Sequence, residues 1–60
     1  MAMMIRLIWT DNKGTHELEY QDIYDAMADA INLEQDCGAT FIQIIGLDNG
    51  KEETLYTYNK

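Results

Sequence analysis

Proline and serine are absent from this 60-residue chain, so its reversals of direction must be built from glycine, asparagine and aspartate. Cysteine occurs once, at Cys37, which excludes an internal disulfide. Glu34 and Asp36 beside it disfavour the thiolate that a reactive cysteine requires, so Cys37 reads as a structural or incidental thiol in a reducing compartment. Uninterrupted apolar runs reach only four or five residues, against the roughly 18 that a bilayer-crossing helix needs. The first 20 residues also lack a basic start followed by a cleavable apolar stretch, and a cytoplasmic protein is expected.

Basic residues are the next scarcity. Four Lys and Arg stand against eleven Asp and Glu, for a formal charge of −7. None of the four lies between Lys13 and Lys51, a span holding Glu17, Glu19, Asp22, Asp25, Asp29, Glu34, Asp36 and Asp48. Nucleic acids and anionic membranes are bound by Lys and Arg neutralising phosphates, so this field disfavours both. A basic protein partner is attracted instead, and its encounter rate rises at low salt.

Catalytic signatures are missing too. There is no glycine-rich phosphate loop and no nucleophile beside a recognisable base, and a domain this small has little room for a water-excluding pocket. His16 is the only histidine, so a zinc site needs acids or a second chain. Asp22, Asp25 and Asp29 project in parallel from one helix and do not converge as a calcium loop does, and Asp11-Asn12-Lys13-Gly14 lacks that loop's spaced ligands. A non-enzyme with no cofactor and no metal is expected.

What is present is the composition of a folded domain: 47% hydrophobic and 25% charged residues. A single domain of this length buries only about 60% of the surface its unfolded chain exposes, and the thin core favours self-association. Residues 3–10 are rich in β-branched and aromatic types and read as a strand. Asp11 to Gly14 form a turn, and 15–20 alternate, with His16, Leu18 and Tyr20 on one face and Glu17 and Glu19 on the other. From Asp22 to about Gln35 the period becomes helical. Ile23, Met27, Ala30 and Ile31 gather on one side with Tyr24 at the border, and Asp22, Asp25, Asp29 and Asp36 fall within about 60° of one another opposite. Asp22 suits the N-cap, Gly38 the stop, and Glu34 on the apolar side predicts a frayed last turn. Residues 39–47 return to strand character, Asn49-Gly50 signals a hairpin, and 52–58 close it.

The expectation is an α+β domain of ββαββ order with a four-stranded antiparallel sheet, order 2-1-3-4, and one helix packed on one face. The apolar strands are central, and the acid- and threonine-bearing ones lie at the edges. Taking Arg6 and Gln43 as outward puts Ile5, Leu7, Trp9, Ile42 and Ile44 against the helix. The other face then carries Met4, Arg6, Ile8, Phe41, Gln43 and Ile45, flanked by Glu17 and Glu19, an apolar patch with a polar rim of the kind that marks an interface. A homodimer or a heterologous protein contact fits it. The second candidate is the acidic row Asp22, Asp25, Asp29 and Asp36, extended by Glu17 and Glu19; its charges rise by roughly 4.5 and 6 Å along the helix, loosely like phosphates along a nucleic-acid strand. A plain solvated helix face accounts for the same row.

By size, acidity and ββαββ order the whole chain resembles small proteins encoded by bacteriophages and mobile elements, among them anti-CRISPR proteins and acidic, DNA-mimicking inhibitors of DNA-processing enzymes. The likeness is one of architecture and charge, and it carries no family residue onto a position here. It implies an inhibitor or modulator of a larger, nucleic-acid-processing partner. The competing reading is a structural or assembly protein that homodimerises through the open sheet face.

Overall fold

A computed structural model describes residues 4–60. In chain order these form β1 (Met4–Asp11), β2 (Gly14–Tyr20), α1 (Ile23–Asp36), β3 (Phe41–Asp48) and β4 (Lys51–Asn59). The strands make one sheet in the order β2-β1-β3-β4 with every neighbour antiparallel, as the sequence pattern predicts. The expected start of the first strand at Met3 lies outside the described residues.

Local chemistry fixes each reversal. At the first hairpin the Lys13 amide donates to Asp11 Oδ1 at 2.8 Å, and Asp11 pairs with Gly14 across a two-residue turn. At the second, Asn49 and Gly50 have φ of 51° and 77°, the two positive values that a type I′ turn demands. Asp22, extended at φ −131° and ψ 127°, caps the helix by accepting from the Tyr24 amide at 2.8 Å. Beyond the helix C-cap at Cys37, Gly38, with φ of 67°, turns the chain so that the Ala39 amide reaches the Leu33 carbonyl at 3.2 Å. Ala39 is thereby folded into the core.

The core occupies one side of the sheet. Ile5, Leu7, Ile42 and Ile44 are buried, while the residues between them on the same strands remain half-exposed. Each fully buried side chain of this size contributes about 1.5–3 kcal/mol. The helix meets this surface through Ala26 and Ala30, with Ile23, Met27 and Leu33 partly buried beside them. Tyr20 and Trp9 close the β2 side, and Tyr56 and Tyr58 the β4 side.

Two expectations for the helix are corrected. Its contact stripe is turned by roughly 50° from the one read in the sequence, because Ala26 and Leu33 belong to it. Two alanines let the helix backbone come down close on a sheet of isoleucines, whereas a stripe centred on Met27 and Ile31 would hold it off. Ile31 is consequently 46% exposed and Tyr24 80% exposed. The last turn is not frayed: the helix continues to Asp36 with Glu34 half-buried at its flank, held by the Gly38 reversal that follows.

The capping geometry generates a stability prediction. Asp22→Ala removes the acceptor for the Tyr24 amide and should cost about 1 kcal/mol. Ile44→Ala, which opens a cavity under the helix, should cost about 2–5 kcal/mol. Urea titration followed by circular dichroism reads both, and equal costs for the two changes would contradict the placement of Ile44 in the core.

Candidate functional site

With the helix on one face, no other element among the described residues covers the opposite face. The pairing register arranges that face side chain by side chain. Arg6 of β1 lies between Glu19 of β2 and Ile45 of β3, Ile8 lies between Glu17 and Gln43, and Thr10 lies between Thr15 and Phe41. Met4 pairs with Leu47 at one end. The five residues expected to form a partner-binding surface, Arg6, Ile8, Phe41, Gln43 and Ile45, are thus neighbours, each half-exposed.

Leu47 enlarges this patch beyond the sequence reading. Leu47 follows from simple alternation past Gln43 and Ile45. Leu55 does not, because Ile44 pairs with Tyr56 and Ile45 with Thr54, leaving Leu55 as the extra residue of a bulge. It is 39% exposed at that bulge. Only the pairing register reveals it.

Among the described residues, Arg6 is the single cation of the face. Its Nε stands 3.6 Å from Glu17 Oε1, too far for a hydrogen bond, and that nitrogen is itself buried without a hydrogen-bonding partner. Thr10 and Thr15 close the far end through a hydroxyl pair at 3.0 Å. A half-buried guanidinium among isoleucines, with two carboxylates beyond it, is a polar anchor within an apolar surface.

The acids expected to make one continuous row divide into two groups. On the helix, Asp22, Asp25, Asp29 and Asp36 lie about a quarter-turn from the buried stripe rather than opposite it, and Asp25 and Asp29 on that flank stand near Tyr20 of β2. Asp22 is engaged as the cap, and Asp29 accepts a hydrogen bond from the Tyr20 hydroxyl. Asp25 and Asp36 are exposed, and Asp36 stands at the negative end of the helix dipole, where a carboxylate is unfavourable. Glu17 and Glu19 extend from β2 on the opposite, open side of the sheet. The two groups therefore border the β2 edge from above and below.

That concentration of negative charge acts on Tyr20. Burial first, then the hydrogen bond and charge of Asp29, with a further contribution from Asp25, push its hydroxyl up to about 12. At the other end of β2, His16 Nε2 lies 3.1 Å from Asp11 Oδ1, and its ring stacks on Trp9 at 5.1 Å. The Lys13 amide holds the Asp11 carboxyl below its usual range; partial burial opposes this and His16 assists it. Sequence alternation separates His16 from Glu17 and Glu19, but the Asp11 contact needs the hairpin register to be seen. This cluster ties the turn to the sheet.

Among the described residues no three or more His, Cys, Asp or Glu are grouped to hold a metal ion, and no helix is long and apolar enough to cross a membrane. Cys37 is exposed at the helix C-cap. A cavity of about 310 Å³ lies at the β3–β4 hairpin, lined by Gly46, Asp48, Lys51, Glu52 and Glu53. No family model, curated protein or solved structure matches the chain.

Tyr20 supplies a pH prediction. Its folded-state value lies above the ordinary tyrosine value of 10.0, so the protonated form is favoured by folding. The stability it contributes is complete below pH 10.0 and is lost as pH rises through about 12. In a spectrophotometric titration one tyrosine should ionise near pH 12, and Tyr20→Phe should remove that step. Persistence of the step in the variant would assign it to another tyrosine.

Proposed function

We propose that this chain is a binding protein that docks on a larger protein through its open sheet face and blocks or modulates that partner. The observation carrying this reading is the uncovered surface formed by Met4, Ile8, Phe41, Ile45 and Leu47 around Arg6 and Gln43. Contiguous apolar surface with a polar rim characterises interaction sites on small soluble domains. The charge of −7 favours a basic partner, as presented by the binding surface of a nucleic-acid-processing protein, and raises the encounter rate with it. Asp25 and Asp36, which neither cap the helix nor accept the Tyr20 hydroxyl, are the helix acids best placed to steer that encounter. Asp36 in addition holds a position that stability alone disfavours.

A second reading, self-association of two copies through the same face, is favoured by the thinness of the core, whose fully buried large side chains are Ile5, Leu7, Ile42 and Ile44. Two sheets packed face to face would double the apolar layer at the usual spacing of about 10 Å.

Phe41→Asp tests both readings. The folded protein should retain its circular dichroism spectrum while losing capture of its partner from host extract, or, in the second reading, shifting from dimer to monomer in sedimentation. Asp25→Lys with Asp36→Lys separates them: partner capture should weaken by about tenfold at low salt, while self-association, being apolar, should hold or strengthen. Unaltered capture and sedimentation after Phe41→Asp would remove the open face from consideration.

A further inference from the structure

The two edges of the sheet differ in a way that points to a second binding surface. Every open sheet ends in strands whose outward main-chain groups lack a strand partner, and proteins commonly guard such edges with lysine, proline or a bulge. The β4 edge is guarded: its ladder is broken at Leu55, and Lys51 stands at its start. The β2 edge has none of these. Its register with β1 is unbroken from Asp11–Gly14 to Ile5–Tyr20, and the strand contains neither lysine nor proline.

The hairpin fixes which groups of β2 point outward. Asp11 and Gly14 flank a two-residue turn and so form a hydrogen-bonded pair, after which bonded and non-bonded pairs alternate. Thr15, Glu17 and Glu19 then turn their amides and carbonyls away from β1. Two observations agree with this phase. Thr10, which pairs with Thr15, directs its carbonyl towards β3 and accepts from the Thr40 amide at 2.9 Å, and the Thr10 and Thr15 hydroxyls meet at 3.0 Å, the close approach of a non-bonded pair.

Charge then selects what pairs with that edge. Glu17 and Glu19 are exposed, about 6.8 Å apart along one face of the strand. Leu18 between them, 50% exposed, faces the other way beneath the flank that carries Asp25 and Asp29. A second copy of the same edge would set glutamates against glutamates, an unfavourable cross-strand arrangement. An extended segment with a basic residue at i, an apolar one at i+1 and a basic one at i+2 complements all three positions at once.

We propose that β2 is a docking edge for an extended basic segment of a partner protein, which adds to the sheet as a fifth strand beside Thr15–Glu19. Main-chain hydrogen bonds to Thr15, Glu17 and Glu19 hold the segment, its basic side chains meet Glu17 and Glu19, and its central apolar side chain covers Leu18. This edge is separate from the centre of the open face: docking there relies on Ile8, Phe41 and Ile45, whereas strand addition relies on main chain and glutamates.

The test uses the full chain with a synthetic peptide that alternates lysine and valine and matches the seven residues of β2. Binding followed by amide-resolved NMR should protect the Thr15, Glu17 and Glu19 amides from exchange. An otherwise identical peptide N-methylated at alternate residues should bind at least about tenfold more weakly, because strand addition needs its amides. Glu17→Lys with Glu19→Lys should cost at least about tenfold in affinity for the unmodified peptide, while the neutral change Ile45→Gln leaves it unchanged. Equal binding of the methylated peptide without amide protection would overturn strand addition in favour of diffuse charge attraction. Loss of binding in Ile45→Gln but not in the glutamate variant would overturn it in favour of the open face, and absence of binding to the intact chain would overturn it outright.

Discussion

The contact on which the molecule depends is that of Ala26 and Ala30 with Ile5, Leu7, Ile42 and Ile44. In a chain this short the single helix must seal one side of four strands, and it can do so only if its backbone comes close. Alanine permits that approach. The isoleucines and Leu7, alternating with half-exposed neighbours, supply the apolar floor. Both the capped helix start at Asp22 and the Gly38 reversal serve to hold the helix at this height and angle.

Two consequences follow from that one contact. Because strand side chains alternate, the residues sealed beneath the helix leave an equal set on the far side, and there Ile8, Phe41 and Ile45 form an apolar surface around Arg6. Because the alanines set the rotation of the helix, Asp25 and Asp29 lie towards β2, where Tyr20 meets Asp29. The acidic margin and the open face are thus products of the packing that holds the core. Changes to the alanine stripe would move both.

Charge has a divided role. Asp22 stabilises the helix start, Asp29 is tied to Tyr20, and Asp11 organises the first turn through Lys13 and His16. Asp36, Glu17 and Glu19 have no comparable structural task, apart from the long contact of Glu17 with Arg6, while Asp25 in the first turn complements the positive end of the helix dipole. Asp36 even opposes the helix dipole. The formal total of −7 therefore overstates how much of the negative surface is free to meet a partner.

The element order, the strand order and the identity of the buried strand face were all legible in the sequence, because they follow from periods of two and 3.6 residues and from local turn chemistry at Asp11–Gly14, Asp22, Gly38 and Asn49–Gly50. The five expected residues of the open face came from that same alternation. What the sequence could not decide was the rotation of the helix, since Ile31 and Leu33 are equally apolar and only close packing on the isoleucines selects between them. Nor could it decide the bulge at Leu55, the Tyr20–Asp29 bond, or the placing of the acids on both sides of β2, because each depends on contacts between residues far apart along the chain. Periodicity assigns a side chain to a face; only the packed sheet and helix decide which faces meet.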